Sequence, residues 1–455
     1  MITEVRNLLD TKNYLDLREK LTDEEPADIG ALFNEFPLED NITMFRILPK
    51  QFASEVFVEM EIEMQQALIE AFTDIELTEI IDHLYVDDTV DIIEEMPANV
   101  VKRILNNTSV ERRATINQLL HYPEDSAGSI MNTEFVELKA YMKVSDAFLH
   151  IRSTGLRKEI IYTCYVTDAK RKLIGITSVR DLMLADDEDV VADIMTEEIV
   201  CAHTDEDKED VMKSLARYDF LALPVVDSEG RLVGIVTIDD AMDVLQEEDT
   251  EDIEIMAAIT PSDKPYLKTG IFETWKQRIP WLLILMVSST FTSKILTAFE
   301  GALASLPILV AFVPLLMGTG GNAGGQASTT VIRGLSLGDI EMGDIFKVLW
   351  KEIRVAFLCG TTLAVVNFGK MLILNDVDRG QYEWDRVLLI SFTVCLTMAI
   401  TVILAKMVGC VLPIIVKRFG FDPAVVANPF ITTIVDVMSL LLYFVIAIAL
   451  LGIKV

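Results

Sequence analysis

One carboxylate lies within a long apolar stretch near the end of this 455-residue sequence. The stretch covers residues 422–452, which is longer than the about 20 residues that cross a bilayer, and Asp436 stands near its middle. An ionised carboxyl group at bilayer depth costs at least roughly 2.5–3.5 kcal/mol, and such groups usually serve ion or proton paths. The chemistry that this residue offers is the binding of a cation by carboxylate oxygen.

Polar residues accompany this carboxylate at helical spacing. Asn428, Thr432, Asp436, Ser439 and Tyr443 follow one another at intervals of 4, 4, 3 and 4 residues, as residues on one helix face do. A polar stripe at bilayer depth must face protein or water, and we interpret it as the wall of a pore. Two alternatives remain open: the acid pairs with a Lys or Arg of a neighbouring helix, or the stripe holds helices together.

A glycine-rich stretch over 316–330 offers a second polar wall. Its segment 318–323, Gly-Thr-Gly-Gly-Asn-Ala, imitates a dinucleotide-binding fingerprint, but no strand precedes it and the context is a membrane span, so we reject that function. Glycines such as Gly321 let helix backbones approach closely. Asn322 and Gln326, four residues apart, add polar groups on one helix face, and together with the first stripe they predict a pore.

The metal ligands that these segments offer are oxygen atoms. They come from the carboxylate of Asp436, the side chains of Asn428 and Thr432, and backbone carbonyls near Gly321. The membrane half contains no His, and soft metals prefer imidazole and thiolate, whereas Mg²⁺ takes carboxylate, carbonyl and water. Mg²⁺ keeps several waters and is held through one or two carboxylates. One Asp per chain suits this ion if a twofold axis brings two copies together, and C2 dimers are the commonest oligomers. We therefore expect Mg²⁺ and a homodimer.

Other functions fit the sequence less well. No phosphate-binding Gly-x-x-x-x-Gly-Lys-Ser/Thr motif is present, which argues against direct drive by ATP. An intramembrane aspartyl protease needs two coupled carboxylates in one active site, and only Asp436 is expected at depth. A membrane-anchored nucleotide or metal sensor without transport, and a transporter of other divalent cations such as Co²⁺, remain as alternatives. We expect no enzymatic activity.

The charged residues are divided unequally along the chain. Residues 1–270 carry 59 acids and 25 bases, a net charge of −34, whereas residues 271–455 carry 12 acids and 14 bases, a net charge of +2. Such an acidic half argues against a nucleic acid partner, because phosphate binding needs Lys and Arg.

The five Cys residues show no spacing that indicates disulfides or zinc, and the N-terminus lacks the apolar core of a signal peptide. We expect the acidic half to stay in the cytoplasm.

Residues 1–127 show apolar residues at helical spacing, in short units that prolines begin or end. Similar phrases recur, for example around Asp28 and Asp91, which predicts a small helical solenoid. Acids concentrate in this region at Asp87, Asp88, Asp91, Glu94 and Glu95. A solvated helix face is the simplest interpretation of any one of them.

Residues 128–247 contain an internal repeat with an offset of 59 residues. The segment 173–183, Leu-Ile-Gly-Ile-Thr-Ser-Val-Arg-Asp-Leu-Met, returns as 232–242, Leu-Val-Gly-Ile-Val-Thr-Ile-Asp-Asp-Ala-Met. Upstream, Met131 of one unit corresponds to Met195 of the next. Each unit has the pattern of a β-rich stretch, a turn, a strand and a helix, and the pair resembles tandem CBS domains. This resemblance implies nucleotide-binding corners, with ATP as the candidate ligand, at Ser178, Asp181, Thr237 and Asp240.

The segment 248–278 continues from the last repeat helix to the membrane half, and we expect a connecting helix there that transmits motion or serves as a tether.

Five apolar segments follow, at about residues 280–299, 306–326, 353–374, 387–412 and 429–452. Lys and Arg concentrate before the first segment and in the second-to-third and fourth-to-fifth loops. This distribution places the N-terminus inside and predicts a multi-pass protein of the cell (inner) membrane.

The order of these features resembles the MgtE family of magnesium channels over essentially the whole sequence. The phrase Tyr-Pro-Glu-Asp-Ser-Ala-Gly at 122–128, the run Gly-Asn-Ala-Gly-Gly-Gln at 321–326 and the final span with Asp436 carry the resemblance. The expected fold is multidomain: an all-α helical solenoid over 1–127, an α/β CBS-domain pair over 128–247, a connecting (plug) helix over 248–278 and an all-α five-helix transmembrane domain over 279–455.

The resemblance also implies roles for particular residues. It implies a homodimer with a pore at the twofold axis, Asp436 as the central Mg²⁺ site and Asn428 near the cytoplasmic mouth. It further implies that cytoplasmic Mg²⁺ closes the channel by binding acids of the soluble half, where the candidate sensor residues are Asp91, Asp227, Glu229, Asp239 and Asp263. Thr260 stands where a further acid is expected. Like charges 4 Å apart repel by about 4 kcal/mol at an effective dielectric near 20, and bridging divalent ions would reverse that repulsion.

Overall fold

The computed structural model describes residues 1–262, 264, 266–426 and 428–453. Asp263, one of the predicted sensor acids, lies outside the described residues, and so does the side chain of Asn428. The chain divides into two compact units, Met1–Leu245 and Gln246–Val455. The first unit holds a helical domain followed by two small sheets, and the second holds the apolar helices.

Residues 1–119, all of which are described, form ten short helices. They are α1 (Ile2–Asp10), α2 (Tyr14–Thr22), α3 (Pro26–Leu32), α4 (Leu38–Ile47), α5 (Lys50–Val58), α6 (Ile62–Ala71), α7 (Asp74–Ile81), α8 (Val86–Glu95), α9 (Ala98–Asn106) and α10 (Val110–Leu119). Prolines set several boundaries: Pro26 begins α3, and Pro37, Pro49 and Pro97 directly precede α4, α5 and α9. Most helices pack on the helix two positions along, as α3 packs on α5 and α5 on α7. This stacking confirms the predicted helical solenoid.

Two three-stranded sheets of the same topology follow. Their elements are β1 (Phe135–Lys139), α11 (Val144–Thr154), β2 (Ile160–Thr167), β3 (Leu173–Ser178), α12 (Val179–Leu184), α13 (Val191–Ile194), β4 (Ala202–His203), α14 (Lys208–Tyr218), β5 (Ala222–Val226), β6 (Leu232–Thr237) and α15 (Ile238–Met256). In each sheet the first two strands are parallel and the last two antiparallel. The register repeats as well, because Val166 lies opposite Gly175 and Val225 opposite Gly234. The structure confirms the predicted pair of α/β domains.

Two methionines connect the sheets, because each one packs against a glycine in the sheet of the other repeat. A Cβ atom on Gly234 of the second sheet would lie 2.6 Å from the Sδ atom of Met131, which belongs to the first repeat. Gly175 of the first sheet stands against Met195 of the second repeat in the same way. Glycine suits both strand positions, because a side chain there would displace the methionine. Each repeat therefore completes the packing of the other.

The second unit contains α16 (Ile271–Ala298), α17 (Glu300–Ser305), α18 (Val313–Ser336), α19 (Ile345–Leu374), α20 (Trp384–Arg418) and α21 (Asn428–Leu451). Within the described ranges, five helical segments are long and apolar enough to cross a bilayer, and they correspond to the five predicted spans. The expected five-helix membrane architecture is confirmed.

Helices α18, α20 and α21 form the packed centre of this unit. Helix α16 has no buried residue and α19 has few, so both present apolar side chains outward, as lipid-facing helices do. Small residues permit close packing: a Cβ atom on Gly360 of α19 would lie 2.9 Å from the carbonyl oxygen of Ala399 of α20. Such contacts hold helices together in a membrane, where burial of apolar surface gives no advantage over lipid.

The predicted connecting segment, 248–278, consists of three parts. Helix α15 continues from the second sheet and ends at Met256, the described residues that follow are irregular, and α16 begins at Ile271. A hydrogen bond of 3.0 Å from the Thr260 N–H to the Gln277 carbonyl oxygen ties the irregular part to α16. Within the described residues, the segment therefore consists of two helix ends with an irregular stretch between them.

Candidate cation path and cytoplasmic acidic cluster

Asp436 lies in the middle of α21, and its side chain is partly buried. In the part of the chain that the structure describes, no cation pairs with this carboxylate, so the alternative of an ion pair within one chain gains no support. One turn earlier, Thr432 packs on α18, where a Cβ atom on Gly321 would lie 2.9 Å from the Thr432 Cγ2 atom. Asn428 is the first residue of the helix. The contact between α18 and α21 thus brings Gly321 within one turn of the carboxylate.

The polar stripe predicted on α21 divides in the structure. Ser439 and Tyr443 are fully buried within the chain. The Tyr443 hydroxyl donates to the Leu309 carbonyl oxygen at 3.0 Å, because the turn that precedes α18 crosses this end of α21. Ser439 stands beside Gly320 of α18. These two residues serve helix packing, as one alternative for the stripe proposed, and they do not extend the exposed polar face.

Helix α18 turns one polar face away from its neighbours. Gly318, Asn322 and Gln326 follow at intervals of four and are exposed, whereas Gly320 and Gly324 are buried against α20 and α21. Amide side chains at membrane depth need water or a polar partner. The exposed face with Asn322 and Gln326, called the amide face below, is therefore a candidate wall of an aqueous path.

A buried ion pair within the membrane unit was missed by the sequence analysis. The Oε2 atom of Glu352 on α19 lies 3.3 Å from the Nζ atom of Lys406 on α20, and the two side chains are 13% and 8% exposed. Asp436 is therefore not the only partly buried acid on the apolar helices. The sequence did indicate such an ion pair, because a single Lys within the predicted span 387–412 requires a counter-charge.

In the first unit, acids from four separate segments converge. They are Asp87 and Asp88 at the start of α8, Glu134 and Glu159 just before β1 and β2, and Asp239 and Asp240 at the start of α15, and we call them the acidic cluster. The Glu134 carboxylate accepts a hydrogen bond from the Val86 N–H at 3.3 Å, and the buried Asn132 side chain donates to Glu159 at 3.1 Å. Asp87 is 9% exposed, and its Oδ1 atom finds no hydrogen-bond donor in the described chain.

Burial and repulsion between neighbouring acids raise the pKa values of five carboxyl groups of the cluster, those of Asp87, Asp88, Glu134, Glu159 and Asp240. Burial first, and then neighbouring acids led by Asp88, raise the pKa of Glu159 to about 8. Burial raises the pKa of Asp240 to about 6, although the hydrogen bond from Thr237 opposes the change. Burial, followed by repulsion from Asp88, raises the pKa of Asp87 well above its usual range. Carboxyl groups that resist ionisation without a counter-ion form a candidate cation site.

The acidic cluster fits a hydrated cation better than a directly chelated one. Among the described residues, no three His, Cys, Asp or Glu side chains are close enough to ligate one metal ion. Mg²⁺ retains several waters and needs only one or two carboxylates, so this looser arrangement suits it. The unpartnered Asp87 oxygen shows that the cluster has acceptor capacity that the protein itself does not use.

The predicted sensor acids lie in different surroundings. Asp239 belongs to the acidic cluster, and Asp91 is exposed on α8. Asp227 shapes the turn between β5 and β6, where its carboxylate accepts from the Glu229 N–H at 2.9 Å and from the Arg231 Nε at 2.8 Å. Although burial opposes ionisation, these bonds hold the pKa of Asp227 below its usual range. Glu229 also contacts Arg231, at 3.3 Å, so both turn acids already have a cation beside them.

The two predicted nucleotide corners differ in accessibility. The Ser178 hydroxyl donates to the Asp181 carboxylate at 2.6 Å and accepts from the Asp181 N–H at 3.0 Å, on an open surface. At the second corner the Thr237 hydroxyl donates to Asp240 at 2.5 Å, but Thr237 is buried and Asp240 belongs to the acidic cluster. In both repeats a hydroxyl group thus pairs with the carboxylate three residues later. The first pair lies on an open surface, whereas the second belongs to the acidic cluster.

These features together define a class of protein. Five apolar helices with the carboxylate of Asp436 and an amide face, preceded by a CBS-type pair and an acidic helical domain, are the parts of a regulated membrane transporter for cations. Three family profiles match the sequence: the MgtE profile, described as a divalent cation transporter, over 313–446, the MgtE intracellular N domain over 24–125, and the CBS domain over 127–188 and 191–247.

Relatives match over nearly the whole chain. The magnesium transporter MgtE of Thermus thermophilus is 38% identical over 431 residues, which cover 94% of this chain and 93% of the relative. The magnesium transporter MgtE of Bacillus subtilis is 31% identical over 453 residues, with 99% and 97% coverage. A crystal structure of the cytosolic domain of the Mg²⁺ channel MgtE in complex with ATP superposes with a TM-score of 0.51 at 37% identity, covering 54% of this chain and 100% of that one. The chain belongs to the MgtE family of divalent cation transporters.

Proposed function

We propose that the protein is a Mg²⁺ channel in which two copies enclose one pore at a twofold axis. The observation that carries the proposal is the amide face of α18 beside a carboxylate, Asp436, that has no cation partner in the described chain. One copy leaves Asn322 and Gln326 without a polar environment at membrane depth, and a second copy would enclose them around water. Two carboxylates, one from each copy, would balance the charge of a Mg²⁺ ion that keeps most of its waters.

The remaining pore residues supply neutral oxygen. Thr432, one turn before Asp436, would contact the waters of the ion, and backbone carbonyls near Gly321 are further candidate ligands. Asn428, at the start of the same helix, stays a predicted ligand whose side chain lies outside the described residues. The distribution of Lys and Arg supports a cytoplasmic soluble half and an orientation of α21 in the cell (inner) membrane with Asn428 toward the cytoplasmic side. No step in this passage breaks a covalent bond, so the protein is not an enzyme.

Cytoplasmic Mg²⁺ closes this pore by binding at the acidic cluster. Without the ion, burial and repulsion disfavour the ionised carboxylates of Asp87 and Glu159, and a hydrated dication would remove that penalty. Helix α15 begins with two acids of the cluster, and its last turn, Ile255 and Met256, packs on Ile332 of α18. Binding at one end of α15 would thereby favour one position of the helix that carries the amide face.

ATP binds at the first of the two corners, the one formed by Ser178 and Asp181. The exposed Arg180 stands between these residues and offers a cation to phosphate, whereas Asp239 occupies the equivalent position of the second repeat. The acidic cluster would repel a nucleotide phosphate from that second corner. A membrane-anchored sensor without transport and a channel for Co²⁺ are the alternative functions.

Flux measurements in liposomes distinguish these functions. The purified protein, reconstituted with an internal Mg²⁺ indicator, should carry Mg²⁺ down its gradient, and Asp436→Ala should reduce the flux at least about tenfold, because it removes roughly 2 kcal/mol or more of attraction for the ion. Ser439→Ala, which changes a buried hydroxyl on the same helix, is the matched control. Normal Mg²⁺ flux through Asp436→Ala would reject the pore, no flux of any divalent ion through the unaltered protein would favour the sensor, and faster flux of Co²⁺ would favour the second alternative.

A further inference from the structure

Glu352 and Lys406 form a buried ion pair that belongs neither to the amide face nor to the stripe on α21. Their charged atoms are 3.3 Å apart, and the side chains are 13% and 8% exposed. Replacing a buried ion pair by well-packed apolar residues is often neutral or stabilising, so stability alone does not account for it. Charged residues within membrane helices mark functional positions.

Helix α20, which carries Lys406, packs against both helices that carry the candidate walls of the cation path. Ala405, next to Lys406 on α20, packs with Ile431 and Val435 of α21, and Val435 immediately precedes Asp436. The carbonyl oxygen of Ala405 also faces α18, 3.2 Å from the place of a Cβ atom on Gly324. Because the amide face of α18 points away from α20, helix α18 itself, about 10–12 Å in diameter, separates the ammonium group from that wall.

We propose that Glu352 is a positioning residue for permeation that acts through Lys406. Its carboxylate cancels the positive field that the buried ammonium group would impose on a divalent cation in the path. The ammonium group in turn forms an ion pair with the carboxylate, so that Glu352 does not become a second site that retains the ion. The effect reaches the path because an apolar interior screens charge weakly.

This inference rests on the proposed Mg²⁺ path and predicts shifts of opposite sign. In the liposome assay, Glu352→Gln leaves a buried positive charge, and we expect the half-saturating Mg²⁺ concentration to rise at least about tenfold, which corresponds to about 1.4 kcal/mol. Lys406→Gln leaves a buried negative charge, and we expect that concentration to fall severalfold. The double variant Glu352→Gln/Lys406→Gln has neither charge and should lie within about twofold of the unaltered protein.

Asp344→Asn is the matched control. It removes an exposed pair, in which Lys347 is 84% exposed and lies 2.6 Å from the acid, at the start of the same helix α19. We expect no shift, because water screens these charges. A shift in this control equal to that of Glu352→Gln would overturn the proposal, since burial would then be irrelevant.

The sign of the shifts separates a field effect from a packing effect. If the pair only held α19 to α20, both single variants would shift the half-saturating concentration in the same direction or reduce the maximal flux alike, and that result overturns the proposal. If Glu352→Gln does not fold, the comparison of Lys406→Gln with the double variant decides, and equal values reject the inference. Normal flux through Asp436→Ala would overturn the proposed path and this inference together, whereas loss of that flux without opposite shifts rejects the role of the pair alone.

Discussion

Gly409 of α20 meets Gly324 of α18 backbone to backbone, so that any Cβ atom on Gly409 would collide with the carbonyl oxygen of Gly324. The contact lies behind the amide face, because Gly324 stands between Asn322 and Gln326 in the sequence of α18. Helices in lipid associate largely through such close packing. The position of the amide face therefore depends on two residues that lack side chains.

We expect Gly409→Ala to separate α20 from α18. The neighbouring group is backbone and cannot rotate away, so overpacking should cost about 1–3 kcal/mol, and both the thermal stability in detergent and the Mg²⁺ flux should fall. Gly369→Ala on α19 is the control, because a Cβ atom there meets nothing within 4 Å. Alanine favours a helix interior by up to about 1 kcal/mol over glycine, so the control should be as stable as the unaltered protein or more so. Equal losses in the two variants would show that the contact is unimportant.

The acidic cluster predicts an unusual dependence of stability on pH. The folded state keeps protons on Glu159 and Asp240 at pH values where the unfolded chain has lost them, since their folded pKa values are about 8 and about 6. Their contribution to the free energy of unfolding is thus complete below about pH 4 and is lost as pH rises through 6 and 8. Without divalent ions, the unit 1–245 should lose on the order of 2 kcal/mol between pH 5 and 8, or about 4–8 °C in melting temperature.

Two further measurements test this origin of the pH dependence. Glu159→Gln cannot ionise, so its melting temperature should fall less over the same range. Millimolar Mg²⁺ should restore stability at pH 8 and have little effect at pH 5, because the ion competes with protons for the carboxylates. A melting temperature that rises from pH 5 to 8 without Mg²⁺ would contradict the raised pKa values.

Neutralising the acidic cluster should weaken the response to cytoplasmic Mg²⁺. The pair Asp87→Asn and Glu159→Gln removes the repulsion that the ion relieves, so the Mg²⁺-induced rise in melting temperature should fall by at least half. As a control, Asp186→Asn together with Asp187→Asn replaces two acids on an exposed loop before α13. If both pairs reduce the Mg²⁺ effect equally, overall charge and not the cluster governs it.

The turn acids should contribute less to this response. Asp227 and Glu229 already contact Arg231, so Asp227→Asn should act mainly by loosening the turn between β5 and β6. We expect a small loss of stability, about 1 kcal/mol, with an almost unchanged Mg²⁺-induced shift in the same melting experiment. A large reduction of that shift would place a sensor site at the turn.

ATP binding should depend on one corner of the CBS pair. Calorimetry on the soluble unit should show binding that Arg180→Ala weakens about tenfold or more, because a cation beside phosphate is lost. The counterpart change in the other repeat, Asp239→Ala, should leave affinity unchanged or increase it, since it removes an acid. Equal weakening by both changes would indicate two equivalent nucleotide sites.

The architecture could be predicted because each of its parts is a local pattern. The offset of 59 residues fixed the positions of Gly175 and Gly234, and the structure places both at the same register of equivalent sheets. The five spans followed from length and hydropathy alone, and the charge distribution set their expected orientation. These signals are contained within single segments of about 20–60 residues.

The acidic cluster and the buried ion pair could not be predicted in this way, because they join distant segments. Asp87, Glu159 and Asp240 come from three parts of the chain, and in the sequence each one has the appearance of a solvated residue. Lys406 was a visible exception in an apolar span, but its partner Glu352 lies 54 positions earlier, beside cations that suggested a membrane boundary. Tyr443 shows the converse: helical spacing aligned it with Asp436, and the turn before α18 buried it.

The exchange of methionines between the CBS repeats has a consequence for biosynthesis. Met131 must wait for Gly234, which leaves the ribosome 103 residues later, so the first repeat cannot complete its packing while it emerges. At 5–20 residues per second the delay is about 5–20 s. During that interval Met131 is open to chaperones, and the first membrane helix, which begins at Ile271, follows Gly234 by only 37 positions.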